Sequence, residues 1–556
     1  MKMRIKFIWI LAINLATLLG VAPAFASGAY DLVIEGGRVM DPETGFDALR
    51  NVGIRAGRIE IITEGRLDGV RVIDARGLVV APGFIDTHVH GTDPFAIKMA
   101  LRDGVTTALE LEGGVINTSD WYAARENAMQ VNYGATVGHA WVRMLVHDPE
   151  VKIDGPVDFT VAANYLETAA KDGVPGWSVN RNDTVQLNTI VERIDEELRQ
   201  GALGVGIALS YMARGADSYE VLAVQRAAAR YGRVSMVHTR YHHQPKPPTE
   251  ATLAFDEVFA NAVALRAPLL VAHNNSYGWD EIAEKLQLAR AQGFNMWSEH
   301  YPYHGGSTFV GAEELRPELW LDRMGYTYEQ TLYDPKTDRY LDRAGYEDLA
   351  SRDPGQTVLT FHPPRQRWIP YWLSMPHMTV ASDGMPGVGT DGKLLPWAAD
   401  YTDYAGHPRT AGTRARTLRL GREYGVPLMH TLAQLSYWSA VHLGDTGLKS
   451  MQERGRMQEG MVADVTIFDP QTVTDHADYT TGSNGLPSTG ISWVIVNGTV
   501  VVGQGEVLEG VFPGQAIRYP VEAKGRFEPI SEEKWIREFT IRDKPLEGDV
   551  GLSHIH

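Results

Sequence analysis

The run Asp86-Thr87-His88-Val89-His90 sets two imidazoles two residues apart at the end of an apolar segment. Residues i and i+2 of a strand project from one face, so both rings can turn toward a single metal ion. The spacing alone is weak evidence, because a packed or surface pair of histidines shares it. Three further segments change its weight: Val237-His238-Thr239-Arg240, Val271-Ala272-His273-Asn274 and Ala381-Ser382-Asp383-Gly384. Each places one His or Asp where an apolar strand meets its loop. Imidazole combined with carboxylate is the donor set of zinc and related divalent ions. Other chemistry-bearing runs carry less. Gly201-Ala202-Leu203-Gly204-Val205-Gly206 lacks both the dinucleotide-loop spacing and a following Lys-Ser/Thr. His242 and His243 read as loop residues, and His554 and His556 as a solvated tail.

The elements that must position these residues alternate in type. Apolar, often β-branched runs occur at 83–90, 106–113, 135–143, 202–210, 234–240, 268–274, 295–303 and 378–383. Helical stretches at 190–200, 219–231, 251–265 and 279–292 lie between several of them. Such alternation predicts a parallel sheet with helices outside it. Eight units predict a closed α/β barrel of the (β/α)8 type, whose functional residues sit at the C-terminal strand ends. The barrel spans residues 82–451, and an Arg-, Asp-, Tyr- and Pro-rich insertion at about 310–375 covers its mouth. Residues 28–81 and 452–523 share short strands and Gly turns, and neither segment has many strands to close a core. Together they predict one small β-sandwich built from both chain ends. Residues 524–556 read as a charged C-terminal extension.

The 556 residues carry 52 basic and 69 acidic side chains, a formal charge of −17. That balance excludes the basic footprint needed for nucleic acid or an anionic membrane. Lys2, Arg4 and Lys6 precede the apolar run Phe7 to Val21, and Ala24-Phe25-Ala26 offers small residues for a cut. Residues 1–26 therefore read as a cleaved signal peptide rather than a stable membrane anchor. The expected location is secreted or periplasmic. The chain has no Cys, so neither a disulfide nor a lipoprotein anchor is available.

The chain resembles the amidohydrolase superfamily and, within it, the N-acyl-D-amino-acid deacylases. The residues that carry the resemblance begin with Pro82-Gly83-Phe84-Ile85-Asp86-Thr87-His88-Val89-His90, Gly104-Val105-Thr106-Thr107 and Gly138-His139. They continue through Gly201-Ala202-Leu203-Gly204, Tyr301-Pro302-Tyr303, Gly306-Ser307-Thr308, Ser382-Asp383-Gly384 and His407-Pro408-Arg409. They end with Gly460-Met461-Val462-Ala463-Asp464 and Val496-Asn497-Gly498. The resemblance implies that His88 and His90 hold one metal, and His238 and His273 a second. It makes Asp383 a ligand and the general base, and Arg409 the partner of a substrate carboxylate. Two departures stand out. The deacylases carry a bridging Cys after the second strand, whereas this chain reads Leu109-Glu110-Leu111-Glu112-Gly113-Gly114. Glu112 is the candidate bridge and Glu110 the runner-up. Asn275 stands where the deacylases have a substrate-holding Lys.

The implied chemistry is amide hydrolysis by hydroxide drawn from water at two metals, zinc or another divalent ion. Asp383 would move the proton to the leaving nitrogen. Tyr301 and His139 are candidates for contacting substrate and its developing oxyanion. Tyr303 reads equally as a donor or a packing residue. The leading substrate is an N-acyl amino acid of D configuration, a carboxylate-bearing small molecule. A cyclic amide, lactone or dipeptide is the alternative. A non-catalytic binding protein fits poorly, since every ligand and the base are intact. A homo-oligomer stays open.

Overall fold

The computed structural model describes residues 29–171, 173–241 and 250–541. The expected signal peptide, His242, His243, His554 and His556 lie outside them.

Eight parallel strands form one sheet: β1 (Phe84–Asp86), β2 (Val105–Val115), β3 (Asn132–Gly138), β4 (Gly204–Ala208), β5 (Val234–His238), β6 (Leu269–Val271), β7 (Met296–His300) and β8 (Met378–Val380). Each pairs with the next in chain order. A parallel bridge between Val89 and Gly384, with His90 N–H donating to the Gly384 carbonyl at 2.7 Å, joins the ends of β1 and β8. Side chains reinforce this seam. Asp86 accepts from the Ser382 backbone N–H at 3.0 Å and pairs with Arg414 at 2.7 Å, both partners of the ion pair being buried. The strands are buried along their whole length, as expected of a sheet covered on both faces.

The covering helices are amphipathic. Thr184–Arg199 starts on an Asp183 N-cap with Gln186 completing a capping box. Its Leu187, Ile190, Val191, Ile194 and Leu198 recur at helical spacing and are buried against Val205 and Ile207 of β4. Ser218–Arg230, Glu250–Leu265 and Trp279–Ala291 follow the same plan over β4 to β7. One expected strand is shorter than its sequence pattern. The apolar run of β3 stops at Gly138, and residues 139–147 form a helix with Gly138 as its N-cap.

Nine further strands link into a mixed sheet drawn from both chain ends, with Tyr30–Asp41 through Val79–Pro82 joined to Val465–Phe468 through Glu506–Val507. Leu32, Ile34, Val52, Ile54, Val465, Ile467 and Ile495 share its core. The splice is direct: Val79–Pro82 pairs antiparallel with Val465–Phe468. After the last strand the chain runs along the start of β3, where Ile517 N–H donates to the Tyr133 carbonyl at 2.7 Å. Gly305–Phe309 pairs with Thr357–Phe361 in a four-stranded antiparallel sheet. It has its own apolar core, including Leu315, Trp320, Tyr328 and Val358. No described helix is long and apolar enough to cross a membrane.

Candidate active site

The C-terminal ends of β1, β2, β5, β6 and β8 converge on one buried cluster. Glu112 stands at its centre, and its two carboxylate oxygens face different partners. Oε2 lies 3.1 Å from His88 Nε2 and 3.2 Å from His90 Nε2. Oε1 lies 2.6 Å from His238 Nδ1 and 3.6 Å from His273 Nε2. Asp383 Oδ1 completes the first group, 3.4 Å from His88 Nε2 and 3.3 Å from His90 Nε2. The two histidine nitrogens are 3.1 Å apart.

These separations fit metal ions. Donors about 2.0–2.2 Å from one tetrahedral centre stand roughly 3.3–3.6 Å from each other. His88, His90, Glu112 and Asp383 approach that spacing, and two ligand triads share Glu112. Charge balance points the same way. Four carboxylates, Glu110, Glu112, Glu299 and Asp383, are buried among the histidines, and among the described residues Arg409 is the one permanent cation paired with them. Buried anions in such excess require cations. In the protein alone, protons serve. Burial pulls the His88 imidazole down, but Asp383, Glu112 and Glu299 outweigh it and hold its pKa well above the usual value. His90 rises likewise, with burial outweighed by Glu110, Asp383 and Glu112. Burial with His238 alongside pushes His273 down to about 4. Burial disfavours the Asp383 anion, but Arg409 and His88 outweigh it and keep its carboxyl below the usual range.

The backbone holds the ligands in place at some cost. His273 and Asp383 both adopt positive φ, 24° and 51°, where each strand breaks into its loop. Such conformations cost about 1–3 kcal/mol and cluster at functional sites. Glycine permits the approach of β2. A Cβ on Gly206 would fall 2.2 Å from the Glu112 carbonyl oxygen. A Cβ on Gly113 would fall 2.1 Å from the Phe159 ring, so that position has no room for a side chain.

Two further carboxylates stand behind the histidines. Glu299 on β7, not anticipated, lies 2.6 Å from His88 Nδ1 and also accepts from Thr87 Oγ1 at 2.7 Å. Glu110, the alternative bridge, lies 2.8 Å from His90 Nδ1 and accepts the Gly113 N–H at 3.0 Å. A carboxylate on Nδ1 fixes the tautomer that leaves Nε2 free to bind metal.

A cavity of about 690 Å³ opens over the cluster and is lined in part by His90, Glu112, His238, His273, Tyr301, Asp383 and Arg409. Arg409 Nη2 donates to Asp383 Oδ2 at 2.9 Å and to Ser307 Oγ at 3.1 Å, and the guanidinium lies 4.8 Å from the Tyr301 ring centre. Arg365 donates to Tyr301 Oη at 3.2 Å. Glu314, also unanticipated, lines the wall with its carboxyl pushed up by burial. His139 does not line the cavity; its Nε2 lies 2.8 Å from Glu220, which Arg143 grips at 2.6 Å, so it serves a buried ion-pair network. Asn275 is fully buried and off the cavity wall. Tyr303 is a packing residue, fully buried, with Arg416 4.5 Å above its ring and its hydroxyl directed to the Pro408 carbonyl at 3.4 Å.

The amidohydrolase family model matches residues 71–502, which span the barrel and part of the mixed sheet. The chain belongs to the amidohydrolase family. This amidohydrolase is 25% identical over 528 residues to a D-aminoacylase of Alcaligenes xylosoxydans xylosoxydans, covering 85% of this chain and 95% of the relative. It is 27% identical to the N-acyl-D-glutamate deacylase of the same organism, covering 85% and 94%. Its fold matches the crystal structure of N-acyl-D-glutamate deacylase from Bordetella bronchiseptica, complexed with zinc and a phosphonate inhibitor. The TM-score is 0.69 at 23% identity, over 88% of this chain and 100% of that one.

Proposed function

We propose that this amidohydrolase removes the acyl group from N-acyl-D-amino acids, using two zinc-class ions joined by Glu112. The observation that carries this is the split of the Glu112 carboxylate between the His88–His90 and His238–His273 pairs. Full-length similarity to relatives named D-aminoacylase and N-acyl-D-glutamate deacylase supports the substrate class and its configuration. Ions bound there would supply water at a lowered pKa and polarise the scissile carbonyl.

The chain's own residues account for the rest. Asp383, kept ionised beside Arg409, accepts a proton on Oδ1 and returns it to the departing nitrogen. Arg365 occupies the Tyr301 oxygen as a donor, so the Tyr301 O–H is left to donate elsewhere, toward charge developing on the carbonyl oxygen. Lys336 and Arg352 also line the cavity, but Arg409 is the cation beside Asp383 and is placed to receive a substrate carboxylate next to the cluster. The basic and apolar start of the chain supports export of the mature enzyme to the periplasm or exterior.

The test is a hydrolysis screen of zinc-loaded protein with N-acetyl and longer acyl derivatives of D- and L-amino acids, beside hydantoin, lactone and dipeptide controls. Turnover of D-configured linear amides is expected. Turnover confined to the cyclic controls would overturn the proposal.

A further inference from the structure

The cavity is larger than a short acyl group requires. An N-acetyl amino acid has about a dozen non-hydrogen atoms, and even at a water's share of ~30 Å³ each, an upper bound for covalently bonded atoms, it fills at most about 360 Å³. The cavity holds about 690 Å³. Its polarity is also uneven. Arg409, Asp383, Ser307 and Tyr301 gather at one pole, while Trp141, Met144, Phe159, Leu166 and Trp177 make up another part of the wall. The apolar wall begins beside the candidate metal ligands. The Phe159 ring centre lies 4.3 Å from that of His90, and Trp141 meets Phe159 edge-on at 5.7 Å. It does not end at the cavity. A second space of about 370 Å³ lies against it, and Leu166, Glu167, Trp177, Tyr211 and Phe309 line both. Tyr211 touches the His238 ring edge-on at 5.4 Å and stacks on Phe309 at 5.4 Å, so the passage is walled by rings from the cluster outward.

We propose that this apolar arm is an acyl-chain channel, and that the enzyme acts on N-acyl amino acids whose acyl group is a straight chain of about eight carbons or more. The inference deepens the deacylase reading and rests on it. With the carboxylate at Arg409 and the scissile carbonyl beside Glu112, the acyl chain must leave in the remaining direction. That direction is the more apolar one: Leu166, Ala170, Val174, Trp177, Tyr211 and Phe309 line the second space, with Glu167, Glu313 and Arg316 as its charged members. Half-buried Leu166 on the helix Ala162–Ala170 stands where the two spaces meet.

Moving one methylene out of water is worth about a fourfold gain in binding. The experiment compares kcat/KM of the zinc-loaded enzyme for acetyl, hexanoyl and decanoyl derivatives of one D-amino acid. It also measures binding of decanoate and acetate by calorimetry. A rise of at least about 100-fold from acetyl to decanoyl is expected. Decanoate should bind correspondingly tighter than acetate. Leu166→Trp, which narrows the shared passage, should lower the decanoyl-to-acetyl ratio at least tenfold. A flat or falling series would overturn the channel while leaving the deacylase reading intact. Failure to hydrolyse any linear N-acyl amino acid would overturn that reading instead, and the binding arm then decides the channel: equal affinity for acetate and decanoate removes it.

Discussion

Replacing Glu299 by Gln isolates how the outer carboxylates act on the metal centre. Glu299 lies 2.6 Å from His88 Nδ1 and is fully buried. The change keeps volume and shape, and the amide can still accept from Thr87 Oγ1, which now lies 2.7 Å from the carboxylate. What is lost is the negative charge that makes Nδ1 the protonated nitrogen and Nε2 the basic one. Losing such a partner typically costs 10–100-fold in metal affinity, about 1.4–2.8 kcal/mol. The loss should fall on the site that contains His88, His90 and Asp383. Zinc titration of apoprotein by calorimetry should therefore show one weakened site beside one unchanged site. The melting temperature of the metal-free protein should move little, since the buried amide keeps its neighbours. Two unchanged affinities would refute the argument that Glu299 sets the His88 tautomer. Equal weakening of both sites would show that the Glu112 bridge transmits the change and that the two sites are not separable.

Other expectations follow from the same geometry. Asp383→Asn should lower kcat by about 10²–10⁴ while zinc still binds, checked by steady-state kinetics with metal analysis; full activity would show the base lies elsewhere. Arg409→Lys should reduce kcat/KM by about 10–100-fold for carboxylate-bearing substrates and less for their methyl esters, since a charge-assisted bond of about 1.5–3 kcal/mol is at stake. Arg414→Ala leaves Asp86 buried without its 2.7 Å partner at the barrel seam; urea unfolding should show a loss of about 3–5 kcal/mol. His300 is fully buried on β7, and burial pushes its pKa down to about 3. Its stabilising share is complete above the unfolded-state pKa near 6.5 and is lost as pH falls toward 3. At pH 5 the deficit is about 2 kcal/mol, so metal-free His300→Asn should lose less stability between pH 6.5 and 5 than the parent.

The barrel was legible because its signal is repetitive. Eight apolar runs separated by helical stretches admit few folds, and a His or Asp at matching strand ends marks one face of that fold. Glu112 was legible through strand parity, which put it with Glu110 on one face without deciding between them. Folding sets them apart: Glu110 reaches His90 Nδ1, whereas Glu112 lies between two histidine pairs. Glu299 was not legible, because a carboxylate inside a strand run resembles any other polar interruption. His139 shows the opposite limit of strand-end reading. It follows β3 as His238 ends β5, but the chain turns at once into a helix and carries the ring to Glu220. Phe159 and Tyr211 belong to no motif, and only folding brings their rings against the metal-side histidines.

The central claim is that one carboxylate, Glu112, joins two metal sites. Zinc stoichiometry and affinity in the parent, Glu112→Ala and Glu110→Ala proteins test it most directly. The parent should take up two ions, Glu112→Ala at most one tightly bound ion, and Glu110→Ala two ions with one site weakened. Two tight ions in Glu112→Ala, or loss of metal only in Glu110→Ala, would contradict the account.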